Sequence, residues 1–172
     1  MNFNETEEQR LIRESVRKLC SAFSDDYWEE RDREGKFPDT FFDEMAAAGW
    51  IGIAMPEKYG GAGKGIQEAA IILEEVAASG AAMNGATPIH LSIFGMHPVV
   101  KHGSELMREK YLPPVARGEL QVAFGVTEPN AGSDTTSIET FLSLIHISEP
   151  TRPERISVGV VWVKKKNGGG GG

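Results

Sequence analysis

The sequence predicts a mainly α-helical chain that passes, after Gly118, into the first strand of a second kind of structure. Three observations carry this. Apolar residues recur at intervals of three and four through most of the chain up to Ala116, the period of a helix that buries one face. Residues that start and stop helices bracket those runs. Alternation at every second position is confined to Leu120-Gln121-Val122-Ala123-Phe124-Gly125, which is the period of a strand.

The elements follow in order. Thr6-Glu7-Glu8-Gln9 reads as a capping box, and its acidic residues suit the positive end of a helix dipole. Ile12, Val16, Leu19, Cys20 and Phe23 then line one face of the first helix. The charge-dense stretch Asp25–Glu34 is expected to be a solvated helix surface. Pro38-Asp39 opens a helix through Phe41, Phe42, Met45 and Ala46, which Gly49 stops. Residues 52–65 form a glycine-rich loop. Ile66, Ala69, Ala70, Leu73, Val76 and Ala77 mark a further helix ended by Ser79-Gly80. Residues 82–100 are mostly apolar and predict a more deeply buried helix that tolerates Pro88 and Pro98. Ser104-Glu105 caps a last helix, expected to stop before Pro113-Pro114. No internal repeat is visible.

Composition narrows the function classes. The 172 residues carry a net charge of −7, and the cations Arg152, Arg155, Lys164, Lys165 and Lys166 make the end of the chain basic, so the part before it is more acidic still. Such a balance argues against nucleic acid or an anionic membrane as the main partner. The single cysteine, Cys20, forms no disulfide within the chain and is expected to be a buried small hydrophobe. The start is acidic at once, with no apolar signal core, no arginine-rich transit pattern and no apolar span of about 20 residues. A cytoplasmic setting is the expectation.

Several chemical motifs are excluded on spacing. Gly60-Gly61-Ala62-Gly63-Lys64-Gly65 lacks the first glycine of a phosphate loop and the Ser or Thr after its lysine, and no strand precedes it. It reads as a tight loop between helices. His90, His97 and His102 have no metal-ligand spacing, and Pro98 is expected to interrupt their helical phasing. There is no G-x-S-x-G elbow and no G-x-G-x-x-G after a strand.

The most informative run is Val126-Thr127-Glu128-Pro129-Asn130-Ala131-Gly132-Ser133-Asp134. Pro129 fixes one backbone angle, and Gly132 permits close approach of a neighbour. The hydroxyls of Thr127 and Ser133 stand beside free backbone N–H groups, which suits a polar, partly anionic ligand. The run resembles the flavin-binding signature of the acyl-CoA dehydrogenases. Two earlier stretches resemble the same family in the same order. One is Gly49-Trp50-Ile51-Gly52 leading to Pro56-Glu57-Lys58-Tyr59-Gly60-Gly61. The other is Gly103-Ser104-Glu105 followed by Lys110-Tyr111-Leu112-Pro113 and Ala116-Arg117-Gly118-Glu119. The likeness covers roughly residues 3–141.

The resemblance implies the N-terminal helical domain of that fold over residues 1–119 and the start of its middle β-domain over 120–141, truncated there. It implies an enzyme that oxidises acyl-CoA to 2,3-enoyl-CoA with FAD, using a carboxylate base and a hydride acceptor. Phe124, Val126 and Thr127 would line the flavin, with the Thr127 hydroxyl at its N5 and carbonyl edge. Gly132 and Ser133 would lie at the FAD pyrophosphate, and Ser133 would also touch the acyl-CoA. Plain core packing is the competing role for Phe124 and Val126. Thr87, His90, Leu91 and Phe94 would fall near the acyl pocket. An electron-transfer flavoprotein or similar acceptor and a homo-oligomeric parent enzyme are the implied partners. No catalytic base is assigned: Glu128 belongs to the turn, and Asp134 is expected to cap or brace it. An acyl-CoA oxidase of the same fold, or a non-catalytic helical interaction module, are the alternative readings.

The chain changes character after Phe141. Leu142-Ser143-Leu144-Ile145-His146-Ile147-Ser148-Glu149-Pro150-Thr151-Arg152 resembles the translation of a transposase sequencing adapter, and the lysine and glycine runs near the end read as homopolymer nucleotide tracts. Residues 142–172 are therefore expected to be non-native, with no functional weight on His146 or on the strand-like run at 158–163. A polypeptide of this kind is expected to be inactive, to aggregate or order poorly, and not to hold FAD alone.

Overall fold

In this computed structural model, residues 5–139 and the backbone of residues 161–165 are described. They fall into two compact units: residues up to 122 together with 163–165, and residues 123–139 with 161–162.

The first unit is helical. Its first helix, α1 (Glu7–Cys20), starts at the capping box: Thr6 Oγ1 accepts from Gln9 N at 3.1 Å, and Gln9 Oε1 accepts from Thr6 N at 3.0 Å. The buried face is Ile12, Val16 and Cys20, as the helical spacing predicts. It packs on α4 (Ile66–Val76), whose Ala69, Ile72 and Val76 are buried.

Ion pairs lock the edge of that helix pair. Glu75, only 6% exposed, accepts from Arg17 Nε at 2.8 Å and from a second Arg17 nitrogen at 3.0 Å. Arg13 donates to Glu75, to Glu5, and to Glu74 at 2.9 Å. The Arg17 guanidinium, with help from Arg13 and against the cost of burial, holds the Glu75 carboxyl below the usual carboxylate range. A depressed folded-state pKa adds stability above the unfolded value and loses it as pH falls through the folded one. Glu75→Gln should therefore cost about 2 kcal/mol at neutral pH. The gap in melting temperature should close as acid protonates Glu75 in the parent protein. A gap that stays constant from neutral pH into the acid range would count against this lock.

Helix α2 (Asp25–Glu34) is mostly solvated, as its charge density predicts, but Trp28 is not. Trp28 is 5% exposed and meets Phe41 edge to face, with ring centroids 4.9 Å apart. Phe41 belongs to α3 (Asp39–Ala47), together with buried Phe42, Met45 and Ala46. Gly49, at φ 83°, ends that segment where expected.

The loop at 51–65 is tightly built. Ala62, Gly63 and Lys64 donate their N–H groups to the carbonyls of Gly52, Met55 and Ile53 at 3.1, 2.8 and 2.9 Å. Ile51, Ile53 and Met55 are buried beneath it. A short 3-10 turn, Glu57–Tyr59, lies inside the loop.

After α4 a wide turn, Ala77–Ala81, carries Gly80 at φ 94° into α5 (Ala82–His102). Two expectations about α5 need correction. The first was deep burial. Gly85, Ala86, Ile89, Ser92, Gly95 and Met96 are buried, but Met83 is 73% and Phe94 48% exposed. Apolar composition all round the helix did not reveal which face packs. The second concerns only the phasing of the histidines across Pro98. The helix itself runs through both Pro88 and Pro98, as the apolar run at 82–100 predicts: proline's φ is helical, and the buried face at Ile89, Gly95 and Met96 offsets the lost N–H and the ring's crowding of the preceding turn.

A correction about proline applies to α6 (Glu105–Ala116), which continues through Pro113-Pro114 instead of stopping before them. Leu112 and Val115 are fully buried on either side. Arg117, Glu119 and Gly118 return N–H groups to the carbonyls of Pro113, Pro114 and Val115 at 3.1, 2.9 and 2.9 Å. Packing and these terminal bonds outweigh the local cost of proline.

Strand β1 (Leu120–Phe124) appears where alternation predicts it and is paired with β2 (Val161–Lys165). The pairing overlaps the strand-like run of the tail that was set aside from the fold. A strand edge bonds through backbone groups and makes little demand on sequence. His146 and the adapter-like stretch lie outside the described residues. Among the described residues no helix is long and apolar enough to cross a membrane.

Candidate functional site

The candidate site lies in the second unit and is built on a closed two-residue turn. Glu128 N donates to Ala131 O at 3.1 Å, and Ala131 N donates to Glu128 O at 3.2 Å. Pro129-Asn130 forms the tip, which suits proline's fixed φ. The chain then enters a 3-10 turn, Thr135–Ser137, capped by Asp134. The Asp134 carboxylate accepts from Thr136 N at 3.1 Å, from the Thr136 hydroxyl, and from Ser137 Oγ at 2.6 Å. Those bonds, Ser137 first, hold its pKa below the usual carboxylate value. Glu128 Oε2 accepts from Glu139 N at 3.0 Å. Both carboxylates are engaged with their own turn, in the bracing role the sequence suggests.

Between these two braces stand Ala131, Gly132 and Ser133. Ala131 is buried, while Gly132, Ser133 and Thr127 are exposed. Among the described residues neither the hydroxyls nor the N–H groups of Thr127 and Ser133, nor the N–H of Gly132, form a hydrogen bond within the chain. Gly132 does not have a positive φ, and a Cβ added there would meet nothing within 4 Å. Among the described residues, neither backbone strain nor packing requires glycine at this position. Open donors around an uncrowded glycine fit the close approach of a polar or anionic group, so the residues present suit the phosphate-bearing part of a dinucleotide.

Of the other residues predicted to line the cofactor, Phe124 ends β1 and is 39% exposed, and Val126 is half-buried. Core packing alone does not account for Phe124. The residues expected near an acyl pocket fall into two pairs. Thr87 and Leu91 line a groove beside α2. His90 and Phe94 are exposed and stack on each other at 5.3 Å and 8°. Among the described residues no group of three His, Cys, Asp or Glu is placed to hold a metal ion.

The structure adds contacts that sequence reasoning missed. Tyr59 OH and Lys58 Nζ both donate to Glu105 Oε1 at 2.8 Å, tying the 51–65 loop to the start of α6. Lys58 first, then Tyr59, lowers the pKa of Glu105. Two of the three sequence segments that resemble the family thus meet as scaffold. Nothing in their spacing announces the contact, since 46 positions separate Tyr59 from Glu105.

Residues 6–119 match the model "Acyl-CoA dehydrogenase, N-terminal domain". The chain is 32% identical over 139 residues to acyl-CoA dehydrogenase FadE12 of Mycobacterium tuberculosis, covering 81% of this chain and 35% of that one. The solved glutaryl-coenzyme A dehydrogenase in complex with glutaryl-CoA superposes with a TM-score of 0.72 at 30% identity, over 80% of this chain and 35% of its own. A structure of the electron transferring flavoprotein of Acidaminococcus fermentans contains a chain matching with a TM-score of 0.70 at 32% identity, over 80% and 36%. The chain spans about a third of the length of the curated relatives it matches.

Proposed function

The chain belongs to the acyl-CoA dehydrogenase family, and from that membership we propose that it supplies the helical domain and the flavin-facing turn of an FAD-dependent oxidation of acyl-CoA to 2,3-enoyl-CoA. The observation that carries the proposal is the turn at 127–134, where exposed donors surround a glycine that neither strain nor packing among the described residues requires. FAD, when bound, supplies the sink that takes the β-hydrogen with its electron pair.

The chain's own residues have separate tasks. The Thr127 hydroxyl donates to the polar edge of the flavin. Gly132 lets the pyrophosphate approach the backbone, and Ser133 donates to it and to the acyl-CoA. Phe124 and Val126 cover the flavin from the strand end. Glu128 and Asp134 hold the turn in shape and take no proton from substrate, because their oxygens already serve Glu139, Thr136 and Ser137. The catalytic carboxylate is assigned to no residue here. The electron acceptor is an electron-transfer flavoprotein or similar protein, and the working enzyme is a homo-oligomer.

A chimera tests this reading: residues 5–139 replace the aligned segment of a dehydrogenase relative, and flavin content and dye-linked oxidation of acyl-CoA are measured. A folded, yellow, active chimera is expected. Within it, Thr127→Ala and Gly132→Ala should each weaken FAD retention about tenfold, the worth of one good hydrogen bond or one close approach, without lowering the melting temperature of the apoprotein. A chimera that folds by circular dichroism but takes up no flavin, or one indifferent to both substitutions, would refute the assignment of the turn.

A further inference from the structure

Among the described residues, β1 is anchored by one buried side chain, Val122, while Leu120 and Gln121 are half-buried and Ala123 and Phe124 exposed. The partner of Val122 is Gly95, buried in the middle of α5. A Cβ added to Gly95 would stand 2.6 Å from Val122 Cγ1 and 3.7 Å from Val122 Cβ. Beyond its own helix, no other described atom comes within 4 Å of that position. The backbone gives no reason for glycine here: its φ is not positive, and inside a helix glycine costs about 1 kcal/mol relative to alanine. What Gly95 supplies is room for one methyl group of β1. That methyl does not readily swing aside, because a β-branched side chain is stiff at χ1.

We propose that Gly95 is a positioning residue for the flavin-facing turn: by letting the Val122 side chain lie against the helix backbone, it sets the depth of β1 and so the point from which the chain carries Phe124, Val126 and Thr127. This role rests on the assignment of that turn to FAD. It runs along the chain, since Phe124 and Val126 follow Val122 directly in sequence order, with one residue between each. Carbon atoms pack at about 3.5–4.0 Å, so relieving a contact of 2.6 Å moves the strand by about 1 Å. Hydrogen bonds to a ligand tolerate only about 0.5 Å. A shift of that size leaves the helices folded but takes the Thr127 hydroxyl out of reach of the flavin edge. Gly85, on the same helix, supplies the contrast. A Cβ there would meet Ala81 Cβ at 2.6 Å, and Trp28 and Val76 at 3.1 Å, none of them in β1.

The chimera that carries residues 5–139 serves for the test, with FAD titration of the apoprotein and thermal melts read side by side. Gly95→Ala should weaken FAD binding about tenfold, the worth of one good hydrogen bond. Gly95→Ala/Val122→Ala removes the methyl that the new Cβ meets, and should return the affinity to that of the parent chimera. Gly85→Ala should lower the melting temperature of the apoprotein and leave FAD affinity as it was. A Gly95→Ala that only destabilised would behave as Gly85→Ala does, and the second substitution, by removing core volume, would make it worse. Unchanged FAD affinity in Gly95→Ala, or a loss that Val122→Ala deepens, would overturn the proposal. Should Gly95→Ala fail to fold, the double variant decides: parental affinity supports the proposal, and weakened affinity or failure to fold overturns it. A parent chimera without flavin, or one indifferent to Thr127→Ala and Gly132→Ala, would overturn the assignment of the turn and this role with it. A yellow chimera sensitive to those two substitutions but indifferent to Gly95→Ala would overturn the role of Gly95 alone.

Discussion

Gly61→Ala is expected to abolish the cooperative fold of the first unit. A Cβ at this position would stand 2.2 Å from Met55 O and 2.6 Å from Gly52 O. Both neighbours are backbone atoms, so no side chain can rotate away to make room. Relief requires the 52–55 segment to part from 61–64, which breaks the bonds from Ala62, Gly63 and Lys64. It also lifts Ile51, Ile53 and Met55 out of the core. The loss should exceed about 3 kcal/mol, a large share of the 5–15 kcal/mol that holds a domain of this size. Thermal and urea melts of the chimera that carries residues 5–139 would measure it. A variant that melts within a few degrees of the parent would mean that the loop is not packed as described. The contrast with Gly132→Ala is the informative part, because there the added Cβ meets open space and only ligand binding should suffer.

The second large effect belongs to Phe41→Ala. Phe41 is fully buried. Its ring meets Phe23 at 5.2 Å and 88°, and Trp28 at 4.9 Å and 74°, so one side chain joins α3 to α2 and to the end of the first helical segment. Removing it leaves a cavity between elements that have few other apolar ties, since α2 buries only Trp28. The cost should be about 3–5 kcal/mol, or a fall of roughly 10 °C in melting temperature. Phe41→Leu should retain most of the stability, because the volume change is smaller. If alanine and leucine proved equally mild, the aromatic cluster would not be the joint between these helices. Loss of Trp28 from the same cluster would also open one wall of the groove beside α2.

Much of the fold is legible in the chain because its signals are local. The capping box at Thr6-Gln9, the stop at Gly49 and the switch to alternation at Leu120 each involve neighbours in sequence, and each forms as read. The misreadings share one cause. Pro113-Pro114 is a strong local stop signal, yet α6 runs through it, because buried Leu112 and Val115, together with the bonds that close α6, outweigh a penalty read from sequence alone. The exposed face of α5 was hidden for a related reason: a helix apolar on most sides does not say which side will find a partner. Trp28 was lost in a run of charges for the opposite reason, as a single anchor among polar residues leaves no period.

The candidate site divides along the same line. Residue types in the 127–134 run predicted a closed turn, with Asp134 as its brace, because proline, glycine and short polar side chains have few conformational roles and the run combines several of them. Why each glycine is there could not be read. Gly61 and Gly132 look alike in sequence, and both stand in glycine-bearing loops that invite a phosphate reading. Only the folded chain separates them, since what a missing side chain makes room for is set by neighbours brought from elsewhere: two carbonyls against Gly61, open space against Gly132. Helix type, caps and turn chemistry are written in short-range sequence. Which face packs, which carboxylate is spoken for and which glycine is free for a ligand are decided by contacts between distant residues.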